Sequence, residues 1–354
     1  MTTLNSLKSY KNYTDSRINA LVRFTDGEEG SGIPAAINVL RGGAWFEILR
    51  MRLGQDSAYG VGKRVQPHTY RSRAGKQWPQ HHNLWAKYAR GVHLPGKKTL
   101  EAANALAPCA GAVLASGAWE AFDTSTPLGA GGDDLLRRLR LGVQQAVFDP
   151  RRLEAGNYIR RDTPVRPLRM LEGQADLDGV AALVILLREA RESGDFARAL
   201  EIGRSLYAAL LTASMSTPLL LIAPELFEYF NRVIFPLASD TEVEFDLEQG
   251  EFHEQRLLLI RTFLQLEDAG SIKYERITTR AQRDILSGRY GFDLLFGLGP
   301  RWRLTQPPDQ VQKENRRFVA SMSVARGWGL EVLRSGQRER LLPDEVCRRM
   351  AAAT

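Results

Sequence analysis

Nine lysines and arginines lie between Ser57 and Leu100, with no aspartate or glutamate among them. They are Lys63, Arg64, Arg71, Arg73, Lys76, Lys87, Arg90, Lys97 and Lys98. The whole chain carries 48 Lys plus Arg against 41 Asp plus Glu, so setting this stretch aside leaves 39 cations against 41 acids. The basic character of the protein therefore belongs to one segment, which also holds His68, His81, His82 and His93 of its five histidines. A helical surface facing only water intersperses acids among its bases, because like charges one turn apart repel and opposite ones attract. A run this long without an acid points to a polyanionic partner. Phosphates gain affinity by releasing counterions to such cations, and Tyr70, Trp78, Trp85 and Tyr88, set among them, can stack on bases or pack a core.

The run from Asn83 to Leu106, NLWAKYARGVHLPGKKTLEAANAL, has the layout of two helices around a turn. Leu84, Trp85 and Tyr88 fall at helical spacing, Gly91 suits a left-handed C-terminal position, and Pro95 stops one helix before the next. Thr99, Leu100, Ala103 and Leu106 continue the apolar period. Lys97 and Lys98 then fall near the start of the second helix, where a phosphate also meets free backbone amides.

This stretch resembles the latter half of the helix-turn-helix domain of the phage-repressor-like (Cro-type) family, over about residues 80–107. The family reads aromatic, charged residue, Arg, Gly, then Pro four residues on, then a Leu/Ala helix. Tyr88, Arg90, Gly91, Pro95, Leu100, Ala103 and Leu106 occupy those positions, and Ala89 stands where the family usually has Glu. The resemblance implies a recognition helix ending just before Gly91, with Gln80, His81, His82, Asn83 and Lys87 on its exposed face. Asn and Gln side chains of that kind hydrogen-bond adenine in a major groove, and Lys87 or Arg90 a guanine or a phosphate. With Lys63, Arg64, Arg71, Arg73, Lys76, His93, Lys97 and Lys98, these are the candidate nucleic-acid-binding residues.

Catalytic and metal-binding patterns are sparse. The sequence contains no GxxxxGK[ST], GxGxxG after a strand, HExxH or GxSxG. The histidines near Cys109 fit no zinc-finger spacing, and Cys109 and Cys347 form no CxxC pair, so no metal, cofactor or disulfide is expected. The acids Asp240, Glu242, Glu244, Asp246, Glu248 and Glu251 crowd closely enough to hold Mg²⁺ in a metal-dependent nuclease, or they simply solvate a connector.

A chain of 354 residues, 44% apolar and 25% charged, has the length and composition of two ordinary globular domains. The expected class is mainly α: an N-terminal helical, helix-turn-helix-like module with an irregular basic insertion, then a larger helical domain with minor β structure. The divisions are 1–123 for the basic domain, 124–134 for a Gly- and Pro-containing linker, and 135–354 for a helical partner or oligomerisation domain. Ala44 to Gln55 reads as the first helix of the module, and SAYGVGKRVQPHTYRSRAGKQWP after it as an arm or β-excursion. Asp133 and Asp134 begin one helix reaching Phe148. Residues 151–176, with Arg151, Arg152, Arg160, Arg161, Arg166 and Arg169, read as irregular. From Asp176 the apolar period predicts a helical hairpin broken at Ser193-Gly194, whose second half resembles one tetratricopeptide-like unit near 178–211. Val243, Phe245 and Leu247 alternate as a short strand does. Helices are expected at 255–267, 277–286, 318–333 and 343–353, with turn and strand or loop between Gly291 and Pro308.

The polar start MTTLNSLKSYKNYTDSR lacks the apolar centre of a secretory signal and no stretch reaches bilayer-spanning length, so a cytoplasmic protein without a membrane partner is expected. Three functions fit these features. The first is a transcriptional regulator that binds duplex DNA, with RNA as the other polyanion, and pairs with itself or a protein complex through its C-terminal helices. The second is a non-enzymatic subunit of a mobile-element or antiphage-defence nucleoprotein complex. The third is the metal-dependent nuclease.

Overall fold

Apolar residues recurring every three and four positions can be buried together only on a helix, and the computed structural model is accordingly mainly α. It describes residues 4–27, 32–70, 83–161, 165–272 and 278–353. Along the chain the first helices are α1 (Leu4–Thr25), α2 (Gly32–Arg52), α3 (Ala58–Val65), α4 (Leu84–Ala89), α5 (Lys97–Leu106), α6 (Pro108–Leu114) and α7 (Ala118–Ala121). Next come α8 (Gly132–Arg138), α9 (Leu141–Val147), a hairpin of β1 (Phe148–Glu154) and β2 (Asn157–Arg160), α10 (Val165–Glu172), α11 (Leu177–Glu192), α12 (Phe196–Ala213) and α13 (Ala223–Tyr229). The remainder is β3 (Val243–Phe245), α14 (Gln249–Asp268), α15 (Thr279–Leu286), α16 (Phe292–Gly297), β4 (Trp302–Leu304), α17 (Lys313–Ser335) and α18 (Asp344–Ala352). No helix among the described residues is long and apolar enough to cross a membrane.

The chain forms two compact units, one of residues 1–126 with 216–230 and one of 127–215 with 231–354. A division at 123–134 was read from the glycines and proline; the return of 216–230 to the first unit leaves no comparable mark in composition. That return is fixed by charge. Arg17 of α1 is wholly buried, and its Nε donates to Glu225 of α13 at 2.7 Å. Its Nη1 donates to Glu47 of α2 at 3.2 Å and to the backbone oxygen of Ala89, the last residue of α4, at 2.6 Å. Arg50 holds the other oxygen of Glu47 at 2.7 Å, so two guanidinium groups balance two carboxylates. Burial alone would lower the Arg17 pKa, but Glu225 and Glu47 hold it above its ordinary value. Gly43 makes room for the side chain, since a Cβ there would lie 2.8 Å from Arg17 Cδ. Around this centre Tyr10 donates to Leu221 O at 3.1 Å and Tyr229 to Phe122 O at 2.6 Å.

The second unit is organised by the α11–α12 hairpin. Asp176 and Asp195 cap the two helices by accepting from the Gly179 and Arg198 amides, and α11 is buried nearly along its length. Gln255 of α14 is buried and doubly engaged: it accepts from the Tyr207 hydroxyl and donates to Gly297 O and Gly299 O at 3.2 and 3.0 Å. β3 pairs antiparallel with β4, placing Phe245 opposite Trp302 and Glu244 opposite Arg303.

Several expectations change here. Ala58–Val65 is a helix and not an arm or β-excursion, because the Ser57 hydroxyl accepts from Gly60 N and Ala58, Val61 and Val65 bury one face. The single helix expected from Asp133 to Phe148 is two, broken where Leu139 and Arg140 turn extended. The described residues of 151–176 are not irregular: they hold most of the β1–β2 hairpin and α10, with Arg160 clamped between Asp133 and Glu189, each at 2.6 Å. The helix expected at 255–267 begins earlier, at Gln249, and α16 lies within the segment read as turn, strand or loop.

Replacing Arg17 with Ala strands the buried Glu225 carboxylate and leaves Glu47 to Arg50 alone, and a loss of about 3–5 kcal/mol is expected for the first unit. Urea unfolding followed by tryptophan fluorescence checks this; a loss below about 1 kcal/mol would mean the pairing is dispensable.

Candidate nucleic-acid interface

The basic segment sits on an aromatic core. Trp45 of α2 stacks on Trp85 of α4 with ring centroids 6.1 Å apart, and Tyr88 meets both rings edge-on at 5.6 and 5.4 Å. Val61 and Val65 of α3 and Ala103 of α5 close the same buried cluster. Trp85 and Tyr88 are therefore packing residues, and stacking on bases from these two rings is ruled out by burial. Between α4 and α5 the chain turns at Gly91 with φ +69°, where a Cβ would stand 2.7 Å from Val39 O. A side chain there would be both strained and obstructed, which explains glycine at this position.

With the apolar faces turned inward, the charges face out. Lys63 and Arg64 are exposed at the end of α3, Asn83 and Lys87 on α4, His93 in the turn, and Lys97 and Lys98 at the start of α5. Asn83 precedes α4 without capping it through its side chain. Arg90 is half-buried and its Nε donates to Ala86 O at 3.1 Å, which gives it a part in ending α4. The side chain of Gln66, which caps the C-terminus of α3, donates to Thr99 Oγ1 at 3.1 Å. That bond ties the Lys63–Arg64 end of α3 to the Lys97–Lys98 start of α5. Arg71, Arg73, Lys76, Gln80, His81 and His82 lie outside the described residues.

The electrostatics of α5 are adverse for a helix left alone. Its N-terminus carries partial positive charge from unpaired amides, its first two residues are lysines, and Gly96 before them supplies no side-chain cap. Lysine at these positions weakens the helix, whereas an anion bound there satisfies both the amides and the ammonium groups. The C-terminus of α4 has the opposite arrangement, with the Arg17 guanidinium on its Ala89 carbonyl.

No family model, curated protein or solved structure matches the chain.

The acids at 240–251 are each engaged by groups of the protein. Arg301 holds Asp246 at 2.8 Å and Glu248 at 2.7 Å, Arg303 holds Glu244 at 2.6 Å, and Arg326 holds Glu251. Glu242 accepts from Gln312 N at 3.0 Å and Asn315 Nδ2 at 2.7 Å, and Asp240 accepts from the amides of Glu242 and Val243. These carboxylates bind β3 to β4 and to the start of α17. Among the described residues no group of three or more His, Cys, Asp and Glu gathers as metal ligands do. Cys109 and Cys347 are free and exposed, away from both cores.

Sequence reasoning missed Arg17, Glu47 and Glu225, which fix the end of α4. No local signal announces a pairing across 208 residues. Ser57 followed by Ala58, Val61 and Val65 was the signal for α3, obscured by the helix-weakening Gly60 and Gly62.

Trp85→Ala is expected to cost about 3–5 kcal/mol by emptying the aromatic cluster, and Gly91→Ala more than about 1 kcal/mol through backbone strain. Thermal unfolding followed by circular dichroism reads both. An unchanged midpoint for Trp85→Ala would contradict its place in the core.

Proposed function

We propose that the first unit binds duplex DNA as part of a transcriptional regulator, through the exposed cations and polar side chains of α3, α4 and the start of α5. The observation that carries this reading is the concentration of the chain's entire cationic excess on one acid-free segment. In it, Lys97 and Lys98 stand at a helix start without a side-chain cap, where a bound anion meets both free amides and ammonium groups. Three further features support it. The resemblance to Cro-type domains spans α4, the Gly91 turn and α5. The α2–α3 pair packs on the same aromatic cluster as α4, in the way a helix-turn-helix core requires. The link from Gln66 to Thr99 gives two groups of lysines and arginines a shared position.

On this reading Gln80, His81, His82, Asn83 and Lys87 face base edges, while Lys63, Arg64, Lys97 and Lys98 hold the phosphate backbone. The second unit serves for self-association or a protein partner. Phosphate contacts set affinity and its salt dependence; base contacts set sequence preference. The first experiment is selection of retained sequences from random duplex DNA across a salt series. An enriched motif with half-site symmetry supports the regulator. Salt-sensitive binding without enrichment supports the nucleoprotein subunit, and absence of binding to DNA and RNA refutes both.

Two substitutions separate the roles. Asn83→Ala should lower affinity for the preferred site by roughly 1–3 kcal/mol and leave other sequences nearly unchanged. Lys97→Ala should weaken every sequence alike and reduce the slope of log K against log salt by about 0.9. Equal losses from both on all sequences would sink the assignment of base contacts to α4.

A further inference from the structure

Guanidinium groups in the second unit are matched to carboxylates in one place after another. Arg160 holds Asp133 and Glu189, Arg334 holds Glu254 through two 2.7 Å bonds, and Arg338 holds the buried Asp293 at 2.6 Å. Three further arginines gather at one hollow. A cavity of about 320 Å³ opens among α10, α12, α15 and α16, and Arg169, Arg204 and Arg283 all line it. Arg283 keeps Asp284 as a partner. Arg169 and Arg204 are exposed and, among the described residues, hold no carboxylate at ion-pair distance.

The rest of the lining sorts by chemistry. Leu168, Leu286, Leu295 and Leu298 give the cavity an apolar wall. Glu172, the last residue of α10, is held by a hydrogen bond from Ser205 and lies within electrostatic reach of all three arginines. Burial raises its carboxyl pKa above the ordinary value, against the pull of Ser205 and the arginines. Glu201 adds a second carboxylate to the lining, so three guanidinium groups face two acids. The volume falls near the lower end of the roughly 300–1,000 Å³ typical of small-molecule sites. Three forked cations around a half-apolar hollow suit a planar or tetrahedral oxyanion joined to an apolar body.

We propose that this cavity binds a small anionic metabolite, its phosphoryl or carboxyl group held by Arg169, Arg204 and Arg283 and its apolar body against Leu168, Leu286 and Leu298. The site belongs to the second unit and stands independently of the nucleic-acid reading.

The test is isothermal titration of the full chain with phenyl phosphate and with phenylacetate at fixed ionic strength. Saturable one-to-one binding of either is expected, and the tighter of the two identifies the head group. The double variant Arg169→Ala, Arg204→Ala should weaken it by ~10-fold or more, because each forked contact to a charged oxygen is strong. Both positions are exposed, so folding should persist, as circular dichroism can verify. Glu172→Gln should tighten binding, since it removes a like charge, an effect that a purely structural role for Glu172 does not produce. The proposal is overturned if neither probe saturates by about 10 mM, a threshold far above the useful affinity of a built site. It is equally overturned if the double variant binds like the parent.

Discussion

One buried arginine sets the terms for the first unit. Removing a guanidinium and two carboxylates from water costs several kcal/mol per ion, and mutual attraction offsets this only when the geometry is good and the remaining donors are satisfied. Arg17 meets both conditions, with Glu225, Glu47 and the Ala89 carbonyl as acceptors drawn from three other helices. Hydrophobic packing tolerates small slips between helices; a fork of hydrogen bonds in a dry interior does not. The position of α4, which carries Lys87 and follows Asn83, is therefore defined from behind by a charge and from the side by the Trp45–Trp85–Tyr88 cluster.

The same unit separates its two kinds of charge. The Arg17 ion pairs are inside, where low dielectric makes them specific, and Lys63, Arg64, Lys87, Lys97 and Lys98 are exposed on short helices. Lysines at the start of α5 oppose the helix field. Their presence is intelligible if stability has been given up locally for attraction to an anion, the usual character of binding surfaces.

Much of the fold was legible in the sequence, and the parts that were share one property: their signals are local. The hairpin from Asp176 to Ala213, the Val243–Phe245 strand, Gly91 as a helix terminator and Trp85 in the core all follow from spacing within a dozen residues. The missed parts depend on partners far away. Arg17 looks like any surface arginine on α1 until Glu225 is brought to it, and the carboxylates of 240–251 look like a metal site until arginines from β4 and α17 neutralise them. Arg-rich 151–161 hid a hairpin because its side chains read as solvated charge, while the pairing of Phe148 with Arg160 and Glu154 with Asn157 is made by backbone. For the candidate interface, composition identified the segment, and the resemblance supplied roles for single residues. Which of those residues face outward became clear only once α3 and α4 were seen to bury their apolar sides together.

The interleaving of 216–230 with the first 126 residues also bears on how the chain is made. A ribosome delivering about 5–20 residues per second needs roughly 5–20 s to move from the end of the first stretch to Glu225. During that interval Arg17 and Glu47 have emerged without their third partner, and the aromatic cluster must hold the nascent unit together unaided. A domain whose central arginine waits for its last partner is exposed, at birth, to whatever polyanion or chaperone reaches its basic segment first.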